Sequence, residues 1–146
     1  MGQLTLPSTG AVYLDADAII YAIEKIEPYY SLLLPLLSAV NRRTIGLVGS
    51  ELLLVETLVK PIELGDAELE ANFRRFLTAS REMRLLPVSL SILESALKLR
   101  VAHRIRTPDA IHAATALATN CTLFVSNDPA FRRVTGLQVN ILDDFV

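Results

Sequence analysis

Short apolar runs alternate along the chain with longer stretches in which apolar residues recur at helical spacing. The short runs predict five strands, over Val12–Leu14, Ile45–Val48, Leu85–Val88, Thr122–Val125 and Val139–Leu142. The longer stretches predict helices over Ala16–Lys25, over Tyr29–Val40, from Ser50 towards Lys60, from Asp66 through Leu77, from Ser91 to about Ala102 and over Ala110–Ala118. This alternation is typical of an α/β fold, with a parallel sheet between layers of helices.

Polar residues and prolines mark the expected ends of these elements. Ser91 with Glu94 three residues later predicts a capping box at the start of one helix. Thr107 is predicted to cap the next helix, whose first turn contains Pro108. Pro35 is expected to kink the second helix or to start a new one.

Length and composition indicate a single domain over residues 1–146. Hydrophobic residues make up 51% of the chain and charged residues 21%, which supplies a core and excludes a disordered chain. The most apolar tract, Tyr29–Val40, is interrupted by Pro35 and is shorter than the roughly 20 residues of a spanning helix. The first ten residues lack the basic start and apolar core of a secretory signal. We therefore expect a cytoplasmic protein without a membrane segment, whose excess apolar surface meets a partner subunit.

Charge and cysteine content limit the kinds of site that the chain can form. The formal net charge is −2, so no overall basic field points to nucleic acid. Eleven of the 14 basic residues are arginines, which bind phosphate in a bidentate manner. The composition therefore does not exclude a local phosphate-binding site. The single cysteine, Cys121, excludes an intramolecular disulfide and a metal site with several cysteines.

Four acidic residues lie at or beyond the carboxyl ends of predicted strands, where open parallel sheets bind ligands. They are Asp15, Glu56, Asp109 and Asp128. Each has an ordinary structural explanation as a helix cap, a charge near a helix N-terminus or half of an exposed ion pair. Glu56 fits such an explanation least well, because its neighbours are apolar and a partly buried carboxylate needs a cation or hydrogen bonds.

Several carboxylates close together repel one another, and a divalent cation relieves the repulsion. A site of oxygen ligands without histidine or cysteine favours Mg²⁺ or Mn²⁺ over zinc. Such ions activate water and neutralise the charge that develops on a phosphodiester. These residues therefore predict metal-dependent phosphoryl transfer or hydrolysis.

The four acids stand in segments that resemble those of the PIN domain, as found in the toxin ribonucleases of VapBC toxin–antitoxin pairs. Residues 12–21 (VYLDADAIIY) resemble the opening of that domain, and residues 50–58 (SELLLVETL) its second acidic segment. Residues 107–116 (TPDAIHAATA) are similar to the third segment, which is the most specific, and residues 124–131 (FVSNDPAF) to the fourth. The segments follow the family's order, so the resemblance spans nearly the whole chain.

The resemblance implies a three-layer α/β/α fold with a central, mostly parallel sheet of four to five strands. It implies that Asp15, Glu56, Asp109 and Asp128 are both the catalytic residues and the ligands of one or two Mg²⁺ or Mn²⁺ ions. The implied activity is hydrolysis of RNA phosphodiester bonds by a metal-activated water. It also implies a homodimer, and a cognate VapB-like antitoxin whose tail covers the acidic site.

Other side chains are predicted to support this site. Ser126 matches a position where the family often has a hydroxyl near the metal, and Asn127 follows it. Asp17 stands where the family commonly has asparagine or serine, which adds a negative charge to the site. Six arginines are candidates to flank the acidic pocket and hold the RNA backbone, with ordinary solvated helix ends as the alternative: Arg42, Arg43, Arg104, Arg106, Arg132 and Arg133. Arg132 and Arg133 are favoured, because only a short helix separates them from Asp128.

His112 lies near the first turn of the same apolar helix as Asp109. A histidine in this position has two explanations, a hydrogen-bonded structural residue or a metal ligand. We predict the structural role, because a lone histidine within a buried helix is more often satisfied by hydrogen bonds.

Two other classes of function stay open. The Asp15-Ala16-Asp17 segment after a strand resembles the Asp-x-Asp motif of haloacid-dehalogenase-like phosphatases, although Ile19 matches that motif loosely and a matching lysine is hard to find. The other class is a catalytically silent PIN-like module that binds RNA or protein. The clustered carboxylates argue against it, because a pure scaffold has no need for them.

Overall fold

The structure is a computed structural model that describes residues 2–146. Its centre is one sheet of five strands: β1 (Ala11–Leu14), β2 (Gly46–Ser50), β3 (Met83–Leu86), β4 (Leu123–Ser126) and β5 (Val139–Ile141). Every pair of neighbouring strands is parallel, and the strand order is β3-β2-β1-β4-β5. The predicted parallel sheet is thus confirmed, with five strands.

Helices cover both faces of this sheet. They are α1 (Ala16–Ile23), α2 (Tyr29–Asn41), α3 (Leu52–Leu64), α4 (Ala67–Arg74), α5 (Leu90–His103) and α6 (Thr107–Ala118). A π-helical turn continues α4 through Arg75–Ala79, and short 3₁₀ segments span Pro129–Arg133 and Leu142–Phe145.

The alternation of side chains along β1 builds a core on each face of the sheet. Val12 and Leu14 lie in the core that residues of α1, α2 and α4 complete. Tyr13 lies in the opposite core, with residues of α5 and α6. The predicted three-layer α/β/α arrangement is therefore confirmed, and β1 contributes to both cores.

The direction of strand addition reverses at β1, which pairs with β2 on one side and with β4 on the other. In open parallel sheets such a reversal leaves a crevice beyond the carboxyl ends of the two strands. Asp15 directly follows β1, and Asp128 lies two residues after the end of β4. The topology thus brings these two acids to the same crevice.

Helix α6 packs close against the sheet because its buried side chains are mostly small. The eight consecutive residues Asp109–Ala116 are all buried, and four of them are alanines. This burial confirms the predicted buried helix. It also carries Asp109 and His112 into the interior at the end of the sheet where the crevice lies.

Two predicted boundaries near β3 are wrong. The strand spans Met83–Leu86 and ends before Pro87, whose ring nitrogen cannot donate a hydrogen bond to a neighbouring strand. The cap of α5 is Ser89, whose Oγ accepts a hydrogen bond from the Ile92 amide at 3.2 Å, whereas Ser91 already lies in the first turn. Ser89 has the extended backbone conformation of a cap residue, with φ −80° and ψ 167°.

The predicted cap of α6 is also wrong. Arg106 occupies the cap position in an extended conformation, and Thr107 is the first helical residue. The Thr107 hydroxyl accepts a hydrogen bond from Nη1 of Arg100 at 3.0 Å, so it contacts α5 rather than the start of its own helix.

The predicted cap of α3 at Ser50 is one residue early, because Glu51 occupies the cap position. Ser50 ends β2, and its Oγ accepts a hydrogen bond from the Leu52 amide at 3.1 Å. α2 continues through Pro35, so this proline starts no new helix. Asp66 caps α4 as predicted, with Oδ1 3.1 Å from the Leu69 amide. In residues 2–146 no helix is long and apolar enough to cross a membrane.

The position of the α5 cap can be tested by comparing two serines on the same turn. Ser89→Ala removes the acceptor for the Ile92 amide, and we expect it to lower the free energy of unfolding by about 1 kcal/mol. Ser91→Ala should change that free energy by less than about 0.5 kcal/mol, because Ser91 is exposed within the helix. Urea unfolding measures both changes, and a larger loss for Ser91→Ala would contradict the cap assignment.

Candidate active site

Asp15 is fixed immediately beyond β1 by bonds to both of its carboxylate oxygens. Oδ1 accepts a hydrogen bond from the Ala16 amide at 2.9 Å, which makes Asp15 the cap of α1. Oδ2 accepts a hydrogen bond from Oγ of Ser126 at 2.7 Å. The Asp15 amide also donates to the Val125 carbonyl at 3.0 Å, which continues the pairing of β1 with β4. The buried carboxylate therefore has a defined orientation.

Glu56 and His112 reach the same place from α3 and α6. Nε2 of His112 lies 2.5 Å from Oε1 of Glu56 and 3.6 Å from Oδ1 of Asp15. One potential ligand atom from each of the three side chains lies within 4.8 Å of the other two. His112 is fully buried, whereas the Glu56 side chain is 27% exposed, so the cluster opens to solvent beside Glu56.

Asp109 and Asp128 face a shared arginine. Nε of Arg106 lies 3.2 Å from Oδ2 of Asp109, and Nη2 lies 3.9 Å from Oδ2 of Asp128. The Asp128 amide donates to Oγ of Ser126 at 3.0 Å, and the same oxygen donates to Asp15. The structure thus places the four predicted acids in two neighbouring groups, which Ser126 connects.

Asp17 and Asn127 lie beside the four acids and are hydrogen-bonded to each other. Oδ2 of Asp17 accepts a hydrogen bond from the Asn127 amide at 2.9 Å, and Oδ1 accepts one from the Ala18 amide at 2.7 Å. The Asn127 side chain donates to the Tyr21 hydroxyl at 3.3 Å and accepts from the Asp143 amide at 2.8 Å. Asn127 therefore holds the loop before Asp128 against α1 and the C-terminal segment.

The arginines predicted to flank the acidic site differ in their contacts, and their binding to RNA stays a prediction. Arg132 pairs with Asp144 near the C-terminus, and in residues 2–146 neither Arg132 nor Arg133 contacts one of the four acids. Arg106 makes that contact instead, from the residue that caps α6. Its side chain is 76% exposed, so it lies at the rim of the acidic cluster.

The sequence favoured a structural role over a ligand role for His112, and it gave no sign that Tyr13 contacts this histidine. The structure places the Tyr13 hydroxyl 2.5 Å from Nδ1 of His112. Residue spacing could have linked Tyr13 and His112 to the acids. Tyr13 and Asp15 are two residues apart in an extended segment, and Asp109 and His112 are three residues apart on a helix. Each pair therefore shares a face, and these faces meet between β1 and α6.

The PIN domain profile matches residues 12–137 of this chain. The chain belongs to the PIN-domain family. The matched range contains all four predicted acids, together with His112 and Arg106. No curated protein sequence matches the chain.

Several solved structures share the fold of this PIN domain. They include VapBC2 from Rickettsia felis bound to a promoter DNA fragment (TM-score 0.69, 19% identity, covering 89% of this chain and 97% of that one). A toxin–antitoxin complex from Klebsiella pneumoniae has a TM-score of 0.64 at 18% identity, with 90% of this chain and 97% of the other covered. FitAcB from Neisseria gonorrhoeae has a TM-score of 0.66 at 16% identity, with 88% and 95% covered. At such identities the likeness shows the fold.

The electrostatics of this PIN domain fit a bound divalent cation. Burial raises the pKa of Asp15 and the charge of Glu56 adds to the rise, while His112, Ser126 and the Ala16 amide offset part of it. Burial lowers the pKa of His112, but its hydrogen bond to Glu56 and the surrounding carboxylates raise it by more, so it lies above the usual value. Crowded, poorly solvated carboxylate oxygens are the ligands that Mg²⁺ and Mn²⁺ prefer.

Asp17 is a second poorly solvated acid in this region, and its raised pKa makes the stability of the protein depend on pH. Burial and the neighbouring charge of Asp15 raise its pKa to about 7. An acid whose pKa is higher in the folded state binds more protons there than in the unfolded state. The contribution of Asp17 to the stability of the metal-free protein therefore falls as the pH rises from about 4, the unfolded pKa, to about 7.

Asp17→Asn should flatten this pH dependence. The amide keeps an acceptor for Asn127 but carries no charge, so we expect the fall in unfolding free energy between pH 5 and pH 8 to shrink by about 2 kcal/mol. Urea unfolding in EDTA measures the difference. Glu68→Gln, at an exposed acid in the first turn of α4, is the control. An unchanged slope in Asp17→Asn would contradict the assignment.

Proposed function

We propose that this PIN domain is a Mg²⁺- or Mn²⁺-dependent endoribonuclease, and the toxin component of a type II toxin–antitoxin system. The observation that carries the proposal is the convergence of Asp15, Glu56, Asp109 and Asp128 beyond the carboxyl ends of the sheet. A structural explanation of each acid by itself does not account for four of them at one crevice. The proposal also treats residues 1–146 as a single domain in the cytoplasm.

The roles of the acids follow from their surroundings. Asp15 and Glu56 would hold the cation on the buried side, with the orientation of Asp15 fixed by Ser126. Asp109 and Asp128 would complete the site on the side that Arg106 now occupies. The bound cation would supply the positive charge that activates water and stabilises the leaving oxygen of the phosphodiester.

Arg106 is the cation best placed to bind the RNA backbone. Its guanidinium contacts Asp109 and Asp128 while the side chain is 76% exposed, so it can also reach a phosphate at the rim. Arg132 and Arg133 lie on the 3₁₀ segment that follows Asp128, and we retain them as a secondary RNA contact.

An antitoxin partner is supported by what the structural relatives are. VapBC2 from Rickettsia felis and the complex from Klebsiella pneumoniae are toxin–antitoxin assemblies with this fold. We propose that this chain likewise binds a cognate VapB-like antitoxin that blocks its acidic site.

A homodimer is supported by an apolar face on α5. Leu90, Leu93, Leu97 and Val101 recur at helical spacing and are between 43% and 77% exposed. A twofold axis would bring this face against its own copy and remove it from water, because the same patch serves both subunits of an isologous dimer. We propose that α5 forms the centre of the dimer interface.

RNA cleavage tests the proposed activity. Purified, antitoxin-free protein should cut total cellular RNA into discrete products with Mg²⁺ or Mn²⁺, and EDTA should stop the reaction. Asp15→Asn and Glu56→Gln should each lower the cleavage rate by about 100-fold or more, because each removes a proposed ligand charge. Glu63→Gln, two turns along α3 from Glu56 and exposed, should cleave at the wild-type rate.

The other outcomes separate the alternatives. Undiminished cleavage by Asp15→Asn would refute the assigned site. Absence of both cleavage and Mn²⁺ binding by calorimetry would indicate a silent binding module. A phosphorylated Asp15, trapped after incubation with a phosphate ester, would indicate the phosphatase class.

The dimer is tested by placing a charge in the α5 face. Leu97→Glu should convert a dimer into a monomer in light scattering coupled to size-exclusion chromatography, because it buries an unpaired carboxylate at the interface. Ser95→Glu adds the same charge at an exposed position of α5 outside the apolar face and should stay dimeric. A dimeric Leu97→Glu protein would place the interface elsewhere.

A further inference from the structure

His112 connects the hydrophobic core to the acidic cluster. Its side chain is fully buried, and both ring nitrogens have partners. Nδ1 lies 2.5 Å from the Tyr13 hydroxyl, and Nε2 lies 2.5 Å from Oε1 of Glu56. Asp15 is the next nearest carboxylate, with Oδ1 3.6 Å from Nε2.

Packing in the core fixes the position of the Tyr13 hydroxyl. The Tyr13 ring stacks on Phe124 with ring centroids 4.9 Å apart and planes 4° from parallel, and it meets His112 edge-on at 5.7 Å. Tyr13 is fully buried in β1, so it cannot turn away from the imidazole without repacking the core. A phenol keeps its proton at neutral pH and can donate it to Nδ1.

When Nδ1 accepts from Tyr13, the neutral ring carries its hydrogen on Nε2, which then donates to Glu56. Two lone pairs 2.5 Å apart would repel, so the short contact between Nε2 and Oε1 requires a hydrogen between them. A cation bound by both atoms would hold them farther apart, since neighbouring ligands of octahedral Mg²⁺ at about 2.0–2.1 Å are about 2.9 Å from each other. The neutral Nε2–H tautomer and the imidazolium both carry this hydrogen, so its presence does not depend on the charge of the ring.

We propose that His112 is a positioning residue and not a metal ligand: Tyr13 holds its ring, and Nε2–H orients Glu56 beside Asp15. Oε1 of Glu56 is then occupied, and in residues 2–146 no hydrogen bond engages Oε2, which stays free for a cation. The inference rests on the proposed function, because orienting Glu56 matters to activity only if the carboxylates hold a metal. It assigns Tyr13, deep in the core, a role in metal affinity.

Nitrogen NMR tests the hydrogen position directly. The chain has two histidines, so His103→Gln leaves His112 as the only imidazole signal. In ¹⁵N-labelled His103→Gln protein we expect a protonated Nε2 both without metal and with saturating Mg²⁺. Loss of the proton from Nε2 when Mg²⁺ saturates the site would overturn the inference, because a coordinating nitrogen must offer its lone pair.

Mn²⁺ binding by calorimetry tests the positioning role. His112→Leu should weaken binding by about 10- to 100-fold, the usual effect of removing a group that orients a ligand. His112→Gln, whose amide can donate to Glu56, should restore part of the affinity. Tyr13→Phe keeps the ring stacking and should weaken binding several-fold by freeing the imidazole. Unchanged affinity in Tyr13→Phe would refute the role, even if His112→Leu fails to fold.

The two proposals fail in distinguishable ways. If the wild-type protein binds neither Mg²⁺ nor Mn²⁺, the proposed nuclease function fails, and the role of His112 fails with it. If the protein binds metal with a deprotonated Nε2, His112 is a ligand, and only the present inference is refuted.

Discussion

The carboxylates of Asp15 and Asp17 lie two residues apart in a largely buried part of the chain, and the free-energy cost of burying their charges is the constraint on which the site depends. Burial raises the pKa of both acids, the charge of Glu56 adds to the rise at Asp15 and the charge of Asp15 to the rise at Asp17, so the ionised forms cost free energy in the absence of a cation. The protein offsets this cost only in part, with the Ser126 hydroxyl, a few backbone amides and His112. A site with this imbalance favours a divalent cation for a physical reason that holds whatever its substrate is.

The sheet topology creates the conditions for this crowding. Because strand addition reverses at β1, the segments after β1 and β4 leave the sheet next to each other, and Asp15 and Asp128 leave with them. The small side chains of α6 let that helix approach the sheet closely enough to add Asp109 and His112. The acidic site is thus a consequence of close helix packing as much as of the acids themselves.

The acidic cluster lies within the part of the chain that the PIN domain profile matches. The PIN domain profile covers residues 12–137, and the toxin–antitoxin complexes that share the fold match nearly the whole chain. Within the matched range, a buried polar connection runs from Tyr13 through His112 to Glu56. A buried polar group is tolerated only when its partners are in place, so this connection ties the geometry of the site to the packing of the core.

The sequence by itself determined the order of the helices and strands and the acids that follow β1 and β4, although several of the predicted ends were wrong. Alternating periodicities predicted the parallel sheet, and Asp66 predicted the start of α4, because such signals act between residues that are near in the chain. The capping-box pattern of Ser91 and Glu94 misplaced the start of α5 by two residues, because the structure has Ser89 at the cap. Only the tertiary structure placed Nε2 of His112 on Glu56, 56 residues away, and set Arg106 between Asp109 and Asp128. A local pattern fixes which face a side chain occupies, whereas the partner on the opposing face depends on how the helices and strands pack.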